Sequence, residues 1–231
     1  MTRHLGLTFT DELAQAVADG RKTQTRRPMK PQPPAEFRGP TAFPLAHLTE
    51  PLWAFGLPGP NIGTPGPCWP PGDEPGIKPR LPGSGIARVG DLLWVRECWA
   101  PLSDYTGSDP GADALFRRCF YRAEYPPGSL DDYLNRWRPS IHMPKWACRT
   151  WARITAVYPE RVADISDEDA IAEGLAEPCG SRWLIPGTAT EERSPRDCFL
   201  TAWRRIYDST DGWCWVVKFE RCDAPDLTEN T

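Results

Sequence analysis

The run Gly20-Arg21-Lys22-Thr23-Gln24-Thr25-Arg26-Arg27-Pro28 gathers cations and hydroxyls into one short stretch of a chain whose formal net charge is -4. Side chains of these types at this density suit an anionic or oxygen-rich ligand, with a solvated helix end as the alternative. A second candidate cluster is Tyr121-Arg122-Ala123-Glu124. On a strand, alternation would send Tyr121 one way and Arg122 and Glu124 the other, forming a second wall of a cleft, or leave Glu124 as a cross-strand salt-bridge partner. Trp53, Trp69, Trp99, Trp137 and Trp146 lie in or beside segments that can be exposed, and a base stacked on such a ring gains about 1 to 3 kcal/mol.

Eight cysteines and three histidines raise the question of a metal. Cys68, Cys98, Cys119, Cys148, Cys179, Cys198, Cys214 and Cys222 occur singly, and His4, His47 and His142 stand apart from them in sequence. Structural zinc sites draw on closely spaced ligand pairs, so neither a metal nor another cofactor is expected, and the thiols read as small core residues. At 231 residues and 40% hydrophobic content, the chain supports one sizeable core. No apolar run reaches the roughly 18 to 20 residues of a membrane helix, and the N-terminus lacks the apolar stretch of a signal peptide. A soluble cytoplasmic protein with no membrane partner is the expectation.

Several elements must position these residues. Phe9 to Asp19 reads as a helix: Thr10 caps it, Asp11 and Glu12 suit its first turn, and Leu13, Ala14, Val17 and Ala18 recur on one face, with Gly20 as the stop. The Lys22 element then leaves that helix as a turn or the start of a strand. From Pro28 to Gly85 lie 16 of the 27 prolines with no sustained period, a pattern expected to exclude regular sheet and to form an insertion, either a lid or a flexible tether. Strands are expected at Leu92–Trp99, Cys119–Tyr125, Trp146–Tyr158 and Trp213–Arg221. Helices are expected behind Ser166, with acids in the first turn, and behind Ser194, with Pro195 at the first helical position. The order helix, strands, helices, strand does not repeat as βαβ. It predicts an α+β fold with a mainly antiparallel sheet, in one domain over 1–231 with 28–85 inserted.

These residues together resemble a known family. Gly20, Lys22 and Arg27 match the G-x-K-x-x-x-x-R signature of ASCH domains, in the PUA-like superfamily. Gly90-Asp91-Leu92-Leu93-Trp94-Val95, Ile165 to Gly174 and Trp215-Val216-Val217-Lys218-Phe219 resemble later family elements in the same order. The insertion and Ile141-His142-Met143-Pro144 look like the larger ASCH-like proteins of phage and prophage genomes. The resemblance implies a small β-barrel whose cleft handles RNA, nucleotides or modified bases. One branch of the family removes the acyl group of N4-acetylcytidine with a lysine, a threonine and a glutamate, whose matches are Lys22, Thr25 and Glu173.

That branch's chemistry needs a nucleophile, a base and donors for the oxyanion. Thr25 would supply the hydroxyl. Lys22 would serve as base if burial or the neighbouring Arg21, Arg26 and Arg27 lowered its pKa; Glu173 would orient Lys22 or protonate the leaving amine, whereas a charged Glu173 in contact would raise the lysine's pKa. Three functions stay open at this stage. The first is binding of RNA, a nucleotide or a modified nucleoside, with Lys22, Arg26 and Arg27 on phosphate or base edges and Tyr121, Arg122 and Glu124 opposite. The second is amidohydrolysis of an N4-acylated cytidine, and the third is capture of a protein partner through residues 31–84.

Overall fold

The computed structural model describes residues 2–34, 39–43, 52–58, 65–69, 78–81 and 85–225. Its central sheet contains β1 (His4–Thr8), β2 (Gln24–Pro28), β3 (Leu92–Arg96), β4 (Trp151–Arg161) and β5 (Trp213–Cys222), in the order β1-β3-β4-β5-β2. β1 runs parallel to β3, and the other neighbouring pairs are antiparallel. Helices α1 (Asp11–Ala18), α2 (Ala112–Arg117), α3 (Asp167–Ala172) and α4 (Pro195–Tyr207) complete an α+β fold.

Period-two patterning divides the two faces of this sheet. Val217 and Phe219 of β5 join Leu5, Leu7, Phe9, Ala14 and Val17 in one core. Cys214 and Val216, pointing the other way, join Phe199, Leu200 and Trp203 of α4 in a second. Polar atoms at the helix starts are met as the sequence predicts. Thr10 accepts from the Leu13 amide, Ser166 from Asp169 and Ser194 from Asp197. Gly20 follows α1 with φ at +77°, the left-handed conformation that ends a helix cheaply only at glycine.

Three expectations are corrected. The sheet is open rather than a closed barrel: β1 and β2 are its two edges, and the chain crosses between them through α1, whose Ala14 and Val17 share the core of Leu5 and Leu7. The strand at Cys119 ends at Tyr121, where it pairs with Trp99–Pro101, and a 3-10 turn follows at Arg122–Glu124. Pro126 and Pro127 come directly behind that turn and cannot donate to a ladder. Finally, the Pro-rich stretch does form sheet: Gly39–Phe43, Leu52–Pro58 and Pro65–Trp69 make a three-stranded antiparallel ladder. Proline is tolerated on such edges and at irregular registers, as where Pro58 faces Pro65 next to a register shift. Its orientation as a lid and the side chains of Trp53 and Trp69 lie outside the described residues.

β1 itself escapes a composition-based reading because a glycine interrupts it. Leu5 and Leu7 point into the core, and Gly6 between them faces the Trp94 ring of β3, where an added Cβ would come within 2.6 Å of ring atoms. Gly6→Ala is expected to lower stability by about 1 to 3 kcal/mol through overpacking. Chemical denaturation of Gly6→Ala in wild-type and Trp94→Leu backgrounds checks the cause, since an equal loss in both would clear the ring of responsibility.

Candidate functional site

Two backbone contacts fix the Lys22 element before its side chains act. The Lys22 amide donates to Ala16 O at the end of α1 (2.9 Å), and the Thr23 amide donates to Ala172 O at the end of α3 (2.9 Å). Gly174, next in the chain after Glu173, has φ at +70°, and a Cβ there would lie 3.2 Å from Lys22 Cβ and 3.3 Å from Ala16 Cβ. The ends of α1 and α3 therefore clamp the segment from both sides. Glu173 and Lys22, 151 positions apart in sequence, are brought into contact by this clamp.

The side chains form a buried charge cluster. Lys22 Nζ donates to Glu173 O (2.6 Å), Gln24 O (2.8 Å) and Glu173 Oε2 (3.0 Å). Three acceptors match the three N–H bonds of an ammonium. The bond to Glu173 O also places the cation at the C-terminal end of α3, where unpaired carbonyls concentrate negative charge. Arg26 Nη1 donates to Glu173 Oε1 (3.1 Å), so the two cations share one carboxylate. Arg26 Nη2 also reaches Asp169 Oδ2 (2.7 Å) and Glu160 Oε2 (2.6 Å). Asp169 and Glu173 are one helical turn apart and present their carboxylates to the same guanidinium.

Burial decides the electrostatics here. Lys22 is 2% exposed and Glu173 3%. Removal from water pulls the Lys22 pKa below that of an ordinary lysine, and the Glu173 carboxylate reverses only part of that shift. Burial also opposes the charge on Asp169, yet the Arg26 bond and charge hold its pKa below the usual carboxylate value. The cationic element that stands out in an acidic sequence is thus neutralised from within. Lys22 and Arg26 are paired with Glu160, Asp169 and Glu173, while Arg27 Nη2 donates to Thr8 O (3.2 Å).

A cavity of about 350 Å³ opens against this cluster. Lys22, Thr25, Arg26, Arg27 and Glu173 all line it. Edge position explains how both faces of β2 contribute. Thr25 pairs with Val217 and so lies on the α1 side, where Arg27 sits over the Phe9 ring at 5.6 Å. Arg26 pairs with Val216 and lies on the α4 side, over Phe199 at 5.7 Å. Trp203, Ile206 and Tyr207 of α4 supply the far wall, and Ser140 contributes from the segment before β4. The arrangement offers a hydroxyl, a buried ammonium and an aromatic wall in one small space.

The remaining predicted residues go elsewhere. Tyr121 is buried and donates its hydroxyl to Ala147 O (2.7 Å). Its ring stacks under Arg149, which makes a two-point pair with buried Glu97 (2.8 and 2.7 Å) and also contacts Glu124. Glu124 further pairs with Arg117 (2.7 Å), the salt-bridge role that the sequence left open. Arg122 pairs with Asp11 (2.5 Å), and Arg21 with Asp19 and Glu177; both line a separate concavity of about 680 Å³ on the outer face of α1. Among the candidate tryptophans, Trp99 is buried, Trp137 half-buried and Trp146 largely exposed.

Sequence reasoning missed Asp169 and Glu160, the other two carboxylates on Arg26, and the aromatic wall of α4. Asp169 was legible as the partner of Glu173 at helical spacing. Glu160 was not, since only the β4–β5 ladder brings it beside β2. Among the described residues, no group of three or more His, Cys, Asp or Glu side chains is placed to hold a metal ion. The chain matches no protein-family model, no curated protein and no solved structure.

Glu173→Gln leaves two buried cations short of a counter-charge and is expected to cost about 3 to 5 kcal/mol, measured by urea unfolding. A loss below 1 kcal/mol would show that Asp169 and Glu160 suffice. The folded Lys22 pKa lies below the ordinary 10.5, so the unfolded chain binds more protons just under that pH. The Lys22 contribution to stability should therefore rise as pH climbs toward 10.5. In unfolding free energies, the difference between wild type and Lys22→Met should grow with pH over that window, and a flat difference would contradict the shift.

Proposed function

We propose that the cavity beside β2 binds a nucleobase or modified nucleoside. The observation that carries this reading is the shared lining of one cavity of about 350 Å³ by Lys22, Thr25, Glu173 and the aromatic side chains Phe9, Phe199, Trp203 and Tyr207. That volume is at the small end of ligand sites, suited to a planar heterocycle rather than to a folded polymer. Aromatic walls favour stacking, and hydroxyl and carboxylate groups suit the donors and acceptors of a base edge. The resemblance to ASCH domains and the PUA-like superfamily, carried by Gly20, Lys22 and Arg27, points to the same ligand class. Because Lys22 and Arg26 are already paired internally, recognition here rests on shape and hydrogen bonding more than on attraction to phosphate.

A second reading is favoured by the Lys22–Glu173 contact in a cavity that Thr25 also lines. It is hydrolysis of an N4-acyl amide on a cytidine. Thr25 Oγ1 would attack the acyl carbonyl carbon while its proton passes to a neutral Lys22, and the C–N bond would break with that proton delivered to the departing amine. Water would then cleave the acyl-threonine ester and release the carboxylate. The lowered Lys22 pKa favours the neutral amine this step requires, while its three hydrogen bonds favour the ammonium. One of those bonds must open for the lysine to accept a proton.

Calorimetric titration with cytidine and N4-acetylcytidine tests the first reading, and chromatography of the same mixtures for released cytidine tests the second. Binding is expected to vary little with salt and to be lost in Ala202→Leu, which narrows the cavity from α4. No binding of either nucleoside, or of other acylated bases, would overturn the site. Thr25→Val should retain binding while turnover drops by about a hundredfold or more, and undiminished turnover would remove Thr25 as nucleophile.

A further inference from the structure

Trp203 and Tyr207 have a second face. The two rings lie 4.5 Å apart on successive turns of α4, and they line not only the Lys22 cavity but also a second cavity of about 520 Å³. The strand side is likewise shared, since Arg26 of β2 lines the first cavity and Pro28, two residues on and on the same α4 face, lines the second. The two spaces therefore abut, divided by one pair of aromatic rings. A ligand that fills the first and extends past that pair of rings would enter the second.

The chemistry of the second cavity differs from that of the first. Arg161, the last residue of β4, lines it with its guanidinium over the Trp213 ring at 4.9 Å, opposite which it pairs in the β4–β5 ladder. A guanidinium oriented on an aromatic face keeps its planar donor edge available for phosphate oxygens. Asp211 lines the same space and offers an acceptor for sugar hydroxyls. The wall is also rigidly built. Gln32 Nε2 donates to Met29 O (2.7 Å) and Trp213 O (2.9 Å), and Gln32 Oε1 accepts from the Trp213 amide (2.7 Å). A cation and a carboxylate lining one space behind an aromatic divider suit the sugar and phosphate attached to a base.

We infer that the ligand is a phosphorylated nucleoside, with its base in the Lys22 cavity and its phosphate-bearing arm in the second cavity against Arg161. This rests on the nucleoside reading of the first cavity and adds the part of the ligand that the first cavity cannot hold. The phosphate comes either from a free nucleotide or from the backbone of a strand, and the site's chemistry is the same for both. It also restores a role for positive charge, moved from the buried Lys22 and Arg26 to a residue outside the Gly20–Pro28 run.

The test is a titration series on the full chain with N4-acetylcytidine, its 5′-monophosphate, its 3′-monophosphate and a dinucleotide containing it. At least one phosphorylated form is expected to bind about tenfold tighter than the nucleoside, an increment consistent with a charge-assisted hydrogen bond. Arg161→Gln should bring the ratio of phosphorylated to unphosphorylated affinity down to about one, and Arg161→Lys should restore part of it. A gain confined to the dinucleotide identifies a strand, and an equal gain with a monophosphate identifies a free nucleotide. If the nucleoside binds and no phosphorylated form binds more tightly, the second subsite is overturned while the first cavity stands. If none of the four binds, both readings fall together. Phosphate-dependent binding that survives Arg161→Gln would place the phosphate elsewhere and also overturn the assignment.

Discussion

One carboxylate shared by two buried cations holds this molecule's edge together. Glu173 gives one oxygen to Lys22 and the other to Arg26, with all three side chains withdrawn from water. Breaking up such a group costs far more than its net contribution suggests, because any member left alone is an uncompensated charge in a poor dielectric. The cluster ties together the end of α3, the segment after α1 and, through Glu160, the far part of β4. It therefore fixes β2 at the sheet edge by side chains as well as by its ladder with β5.

An edge strand held in this way can do what an interior strand cannot. Interior strands have their two faces separated by neighbours on both sides, whereas among the described residues β2 has only β5 beside it. Thr25 and Arg27 on one face and Arg26 on the other all reach the same opening, as does Lys22 from the turn before the strand. The open sheet is thus linked to the site.

Legibility in the sequence followed the range of the interaction. Helix starts at Thr10, Ser166 and Ser194 were readable because a cap and its amide are three residues apart. The alternation of Trp213, Trp215, Val217 and Phe219 revealed β5 for the same local reason. β1 was hidden by Gly6, whose absent side chain is explained only by Trp94, 88 residues later in the paired strand. The ladder in the Pro-rich stretch was hidden because its pairing follows from backbone geometry that composition disfavours. At the site, Lys22, Thr25 and Glu173 were identified by resemblance, and Lys22 and Glu173 are in contact. What no local pattern could show is that Arg26 points inward to three acids, because Glu160, Asp169 and Glu173 converge only after the sheet is assembled.

That inward orientation changes what the positive run means. Charge placed to attract a ligand is normally left partly solvated, where its field extends outward. Here the charge of Lys22 and Arg26 is consumed in folding, and its effect on a ligand is indirect: it fixes the position of the Glu173 carboxylate and of the Lys22 ammonium at a small cavity wall. A wall of this kind discriminates by hydrogen-bond geometry, because a wrongly shaped guest leaves buried polar groups unpaired. The same saturation that makes the cluster a firm structural anchor restrains Lys22 as a base. Stability and proton transfer thus draw on the same three hydrogen bonds, and any catalysis at Thr25 requires a ligand that competes for one of them.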